Sequence, residues 1–509
     1  LLLLMISPTL LGQTTTGYQN VSRSEAPGTL LSHPTDNDSV DIGRTTTVQY
    51  LRGWVVVGGE GPGSRIDPPS DLELRIYNIE DPANPVRLKP SDFGFTFAND
   101  SWHKGNYGWD AHGTAQAGDS LFATVYKNSQ ESNYAGDGPF RVESWGGTIQ
   151  HDSRVNGPGG GGLGLFRRGA MSGSWNATLQ WYNTEDDFEI LRDFYKPSTG
   201  NNKKIVATFD HKGLFGGGDW HPLFFGDLLI YARSGSSDRD GIVIYRLIYN
   251  DFDDPENASI TPQFVATADT RFEGYWPTLY GDGQSLYVFN AATDLMMAAD
   301  ITDAADPNGN GIISKAREYV TTINNATYPV YQDHFAFVDD KKVDMTKFLA
   351  DDPNPIALDL DEEGNGVDTS QISLPLGNLW LTGGASKTED PSQGMGIWVQ
   401  QQAPDTTRPQ VAFHIPQAGR ANYPRHAPLS FLIHEVPRNG GPLAGEDFFV
   451  RIVNADESLG ASVEGHAMFD MSGVLTFTPY SGLEGNATYQ VDFIADTVNK
   501  KGFRDAAGN

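Results

Sequence analysis

Leu74-Arg75-Ile76-Tyr77-Asn78-Ile79-Glu80-Asp81-Pro82-Ala83-Asn84-Pro85-Val86 carries the pattern on which the fold turns. Apolar residues at Leu74, Ile76, Tyr77 and Ile79 make a short strand. The Asp81-Pro82 pair ends it, because proline removes an amide donor and fixes φ near −65°. Weaker copies are Ile242-Val243-Ile244-Tyr245-Arg246-Leu247, followed by Asp253-Asp254-Pro255, and Leu295 to Ile301, followed by Asp306-Pro307.

A second unit recurs around the first: an aromatic or polar opening, a turn, then a strand. It is Trp109-Asp110-Ala111-His112 before Gly118-Asp119, and Gly218-Asp219-Trp220-His221 before Gly226-Asp227. It returns as Gly274-Tyr275-Trp276-Pro277 before Gly281-Asp282, and as Gln332-Asp333-His334 before Asp339-Asp340. His112 to His221 spans 109 residues, His221 to Trp276 spans 55, and Trp276 to His334 spans 58. The first interval is about twice the others, so one copy is hidden between residues 127 and 210. With an opening copy near Thr47 to Gly58 and a closing one near Leu379 to Val399, about seven copies result. Four short antiparallel strands per ~50 residues, repeated six to eight times, describe a β-propeller.

The 509 residues include 57 Gly and 30 Pro, which favours many tight turns. The formal charge of −29 repels phosphate backbones, so nucleic acid is not an expected partner. There is no cysteine, which excludes disulfides, thiolate-bound metals and Cys nucleophiles. The opening run from Leu1 to Leu11 reads as the apolar part of a secretory signal, with residues 1–15 its remnant. No later stretch reaches the ~18–20 apolar residues of a membrane helix. The expected location is secreted or cell-surface, the chain being a fragment of a longer exported protein.

The segment from Ile76 to Val86 resembles the LVIVD-type repeat of secreted and surface-associated bacterial β-propellers. That resemblance covers residues 40–400 and implies fold far more than activity. A Pro/Thr linker, 401–408, follows. Beyond it Phe477-Thr478-Pro479, Leu483, Asn486-Ala487-Thr488-Tyr489 and Asp505-Ala506-Ala507-Gly508-Asn509 resemble the bacterial Ig-like domain of the SbsA-like type. This implies a spacer sandwich over 409–509, continued beyond it in a longer protein. The expected fold class is therefore all-β: an about seven-bladed propeller plus a C-terminal Ig-like β-sandwich.

Equivalent positions in different blades surround one axis, so His112, His221 and His334 with Asp110, Asp219 and Asp333 are candidate ligands for a divalent metal at the tunnel mouth. Packing of each His at the start of its blade is the competing reading, since Trp276 fills the same slot. Asp306, Asn308 and Asn310, with Gly311, resemble the first half of a calcium loop, but Arg317 stands where the closing Glu belongs. A plain turn is the competing reading there. Trp109, Trp220 and Trp276 are candidate ligand-binding residues, because aromatic rings stack on sugars. The expected cofactor is a divalent metal, calcium or a transition metal. The expected function is an exported binding or surface-interaction protein for a small-molecule, glycan or protein ligand. The alternative is a metal-dependent propeller hydrolase or lyase, and whether the chain is catalytic stays open.

Overall fold

Local alternation and Asp-Pro turns produce short antiparallel strands throughout. The computed structural model describes residues 27–32, 44–51, 54–60, 73–79, 81–88, 109–117, 120–127, 140–143, 148–151, 170–172, 175–179, 187–194, 202–210, 219–234, 241–268, 277–292, 294–323, 329–360, 370–384, 397–437, 444–470, 473–496 and 501–509. Among them the chain is nearly all β, with two short helices, Thr302–Ala305 and Met345–Leu349. The signal-like residues 1–15 lie outside the described residues.

Among the described residues the sheet order gives seven four-stranded meanders, six as separate sheets and one, the second, within an eight-stranded sheet. The first spans Arg44–Leu51, Trp54–Glu60, Glu73–Asn78 and Val86–Leu88, and the second Trp109–Ala117, Ser120–Lys127, Phe140–Glu143 and Thr148–His151. The third, Ala170–Ser172 through Asn202–Asp210, fills the interval where the repeat spacing requires a hidden copy. The fourth starts at Asp219–Phe225, the fifth at Thr278–Gly281 and the sixth at Val330–Gln332. The seventh takes Ser370–Leu376, Leu379–Gly384 and Ile397–Gln401 from late in the chain, and its outer strand is the early Leu30–Ser32. Leu30 pairs with Gln400, which ties the beginning of the described chain to the end of the ring.

Packing follows the same order. Ile190 and Val206 of the third meander bury against Phe224 and Leu229 of the fourth, and Phe289 of the fifth against Ala336 and Val343 of the sixth. Phe337 of the sixth meets Trp380 of the seventh edge-on at 5.2 Å. Tyr50, Val55 and Tyr77 of the first meander share a core with Leu374, Leu381 and Val399 of the seventh. In each of these pairs neighbours in sequence are neighbours in space, and the first packs on the seventh. Radial repetition of this kind leaves each sheet only short, protected edges, the propeller's way of managing edge pairing.

The Asp-Pro unit has one structural job. It sits between the third and fourth strands of the meanders. Asp81, Asp254, Asp306 and Asp352 each accept, through Oδ1, the backbone N–H two residues on, at 3.1, 3.0, 2.8 and 2.8 Å. The short carboxylate reaches the amide that the turn leaves unpaired, which is why aspartate recurs there.

Residues after 410 form a two-sheet sandwich. One sheet orders Val411–Ile415, Leu429–Ile433, Val474–Pro479 and Gly465–Asp470, and the other Leu459–Ser462, Phe448–Val453 and Thr488–Phe493. Phe431, Phe448, Phe477 and Phe493 pack between them. Gly508 has φ +90°, a conformation a Cβ resists.

The sandwich is docked, not strung on a free linker. Phe413, Ile415, Leu432 and Val474 join the core made by Phe225, Leu279 and Val288. Its Gly465–Asp470 strand continues into the second meander, with Phe469 opposite Gln116 and Asp470 opposite Ala115. The expected linker is held as well: Gln402 Nε2 donates to the carbonyls of Gly377 and Leu379 at 2.7 and 2.9 Å, and Gln401 Nε2 to Asn378 O at 2.9 Å. All these contacts meet the same ends of the blades, where first strand turns into second or third into fourth. The turn residue Gly226 gives its N–H to Ser430 Oγ at 2.8 Å, Gly281 lies against Phe413, and Asp253 meets Arg425 and His426.

Candidate functional site

The candidate residues fall at two different levels of the propeller. Trp109, Asp110 and His112 lie near the start of the second meander's first strand, and Asp219, Trp220 and His221 open that of the fourth. Asp333 and His334 do not share this slot. They form the turn beyond the far end of the sixth meander's first strand, between Val330–Gln332 and Phe335–Val338. His112 and His221 thus lie toward the starts of first strands, while His334 lies in the turn after one, so the three do not share one slot of the repeat. His334 instead bonds its neighbour, Nδ1 to Asp333 Oδ2 at 2.8 Å, and its ring packs on Phe335. Trp276 lies outside the described residues.

Asp306 is the Asp-Pro turn of the repeat, engaged with Asn308 N–H as its counterparts are. The middle of that loop is filled by Asp303, whose Oδ2 accepts from the N–H groups of Asn310 and Ile312 at 2.9 and 2.7 Å. These bonds pull the Asp303 carboxyl below the usual carboxylate range. The Asp306, Asn308, Asn310 loop is thus bonded within itself, as the Asp-Pro turns of other meanders are.

Among the described residues one group of three can hold a metal: Asp405, Glu435 and Asp505, whose ligand oxygens lie within 4.8 Å of one another. Sequence reasoning missed it. The three are 6%, 5% and 1% exposed. Each comes from a different segment: the linker, the residue after the Leu429–Ile433 strand and its His434, and the C-terminal loop. Backbone amides supply most of the donors. Asp405 Oδ1 accepts from Thr407 N at 2.9 Å, Glu435 Oε1 from Asp333 N at 2.9 Å, and Asp505 Oδ1 from Gly508 N and Asn509 N at 2.7 and 2.9 Å.

Three ionised carboxylates this close repel one another by roughly 3 kcal/mol per pair at an effective dielectric of about 20. Burial first of all pushes all three up, joined by the charge of Asp333 at Asp405, of Asp405 at Asp505, and of Asp405 and Asp505 at Glu435: Asp405 above the usual carboxylate range, Asp505 to about 6, and Glu435 well above its ordinary value. Asp333 adds its charge from the propeller side. The neighbouring cation is Lys342, whose Nζ bonds Gln402 Oε1 at 3.3 Å and lies 4.1 Å from the centre of the Phe335 ring. Burial pulls that amine down to about 8, against the pull of Asp405 and Asp333. One amine does not balance this many carboxylates. Of the metal candidates drawn from the repeat, Asp333 borders this centre, giving its N–H to Glu435 Oε1.

No family model matches the chain, and no curated protein does. Among solved structures the chain is similar to the computationally designed Ika8 protein, at 9% identity and TM-score 0.35, covering 87% of this chain and 98% of that one. It is similar to Zg3597, a family 117 glycoside hydrolase of the marine bacterium Zobellia galactanivorans, at 8% identity and TM-score 0.29, covering 73% and 88%. It is also similar to an engineered GH43 glycoside hydrolase, at 12% identity and TM-score 0.23, covering 93% and 92%. At such scores these likenesses carry no argument about activity. Among the described residues no helix is long and apolar enough to cross a membrane.

Proposed function

We propose that the chain is an exported, glycan-binding propeller that takes its ligand at the strand-start ends of the blades, with an Ig-like sandwich fixed to the opposite face. One observation carries this reading. The described contacts of the sandwich and linker fall at the other ends of the blades: Gly226, Gly281, Asp333 and Gly377 all meet them. The first strands that end under the sandwich in the second and fourth meanders begin with Trp109-Asp110 and Asp219-Trp220. An indole offers an apolar face for a sugar ring, and a carboxylate accepts from its hydroxyls.

Glycan-array screening of the purified chain, followed by calorimetry with a retained oligosaccharide, tests this. Trp220→Ala and Asp219→Asn should each weaken binding about tenfold or more, the loss of one good contact, with Tm unchanged. Retention of no glycan, or unaltered affinity in both variants, would overturn it.

A further inference from the structure

We propose that Asp405, Glu435 and Asp505 form a calcium site that clamps the sandwich onto the propeller. The proposal stands apart from the glycan reading, since it concerns the other end of the blades and different residues.

Two observations carry it. The first is the geometry: oxygens from three segments, 30 and 70 residues apart in sequence, lie within 4.8 Å of one another. Oxygens sharing one calcium at about 2.4 Å lie no more than about 4.8 Å apart, so the three fall within the reach of a single calcium ion. The second is a buried atom with no partner. Asp505 is 1% exposed, yet no hydrogen-bond partner among the described residues reaches its Oδ2. A buried polar atom left this way is costly unless a proton or a cation occupies the place beside it. The donor set is all oxygen, with no thiolate, and the nearby His334 is engaged with Asp333 at 2.8 Å. Oxygen-only sites of this charge suit a hard cation.

Asp405, Glu435 and Asp505 come together with Lys342 bonded to the linker at Gln402 and Glu435 taking the Asp333 amide. A divalent ion neutralises two charges at once and draws linker, sandwich and C-terminal loop together. Because Asp333 ends a propeller strand and binds both His434 O and Glu435, the ion would hold that turn too.

The test is calorimetric titration of the full chain with calcium chloride at pH 7.5, after chelation. One equivalent should bind at this centre, and Asp505→Asn should remove it or weaken it about tenfold or more, as loss of a charged ligand does. Asp306→Asn, in the self-bonded turn, should leave it in place. Glu435→Gln serves if Asp505→Asn does not fold. Hydrogen exchange on the unmodified chain gives a readout free of variants: the amides of Gly508 and Asn509, which donate to Asp505, should slow on adding calcium. Absence of calcium binding at 1 mM, binding indifferent to Asp505→Asn and Glu435→Gln, or exchange unchanged at 508–509 would each overturn the proposal.

Discussion

Arg420 of the sandwich grips Asp227 of the propeller with both ends of its guanidinium, Nη1 to Oδ1 at 3.1 Å and Nη2 to Oδ2 at 2.6 Å. Asp227 is fully buried and also takes Arg246 Nη1 at 3.0 Å. Arg246 in turn caps the Thr302–Ala305 helix by donating to the carbonyls of Ala304 and Ala305. One carboxylate thus links the fourth meander, the fifth and the sandwich.

Arg420→Ala is expected to destabilise the chain by about 3 kcal/mol. That is the low end for breaking a buried pair, because Arg246 stays with Asp227. Arg420→Lys should restore less than half, since an ammonium cannot bridge both oxygens. Urea unfolding followed by tryptophan fluorescence checks both values, and a loss under 1 kcal/mol for the alanine variant would contradict the role.

Gly226 sits at φ +61°, and an added Cβ would lie 2.2 Å from Ile415 Cγ2. Gly226→Ala should therefore cost about 2–4 kcal/mol, from overpacking plus left-handed backbone. Ile415→Ala removes the obstructing methyl, so the double variant should lose less than the two single losses added. Strict additivity would mean that the two residues do not meet in solution.

In chelator, the stability that protonated Asp505 contributes should be lost as the pH rises from the ordinary carboxylate range to about 6. Asp405, Glu435 and Asp505 have raised folded values, Asp505 at about 6. Each therefore favours the folded state at low pH and loses that contribution as the pH climbs through its folded value, at roughly 1.4 kcal/mol per pH unit. His434, stacked on Tyr280 and buried, is pulled down to about 4, so its contribution is full above about 6.5 and is lost as the pH falls toward 4. Lys342, lowered to about 8, adds stability only above that pH. Between about pH 4 and 6 the Asp505 contribution falls while that of His434 rises, so the two oppose each other. Asp505→Asn should remove the falling part, so its stability should climb more steeply with pH than that of the unaltered chain, and equilibrium unfolding at about pH 4.5, 5.5 and 6.5 would show it.

Limited proteolysis at the exposed Ala403-Pro404 should nick the chain without separating it. Gln401, Gln402 and Asp405 on either side are buried, and the sandwich keeps its contacts with Phe225 and Asp227. Both fragments should leave a gel-filtration column together and part only in denaturant. Separation in buffer would show that docking is weak.

Local rules made much of this chain readable. Alternating apolar residues and Asp-Pro turns act within a few positions, so Leu74 to Val86 announces a strand and its turn, and the interval from His112 to His221 locates the third meander. The same local logic explains why Asp306 resembled a calcium loop: a turn carboxylate that accepts a nearby amide looks alike in sequence whether or not a cation sits in it. Which end of a blade a residue occupies is not local. A shift of a few positions moves His334 from the start of a strand to the turn beyond it, and only strand register decides that. Asp405, Glu435 and Asp505 were illegible for a stronger reason. Each reads alone as a turn or linker residue, and they become neighbours because apolar burial of Phe413, Ile415 and Leu432 seats the sandwich on the blade turns. The sequence by itself determined the strands, their turns and the repeat, since these depend on neighbours along the chain; the meeting of three carboxylates at the joint was decided by packing between residues far apart in it.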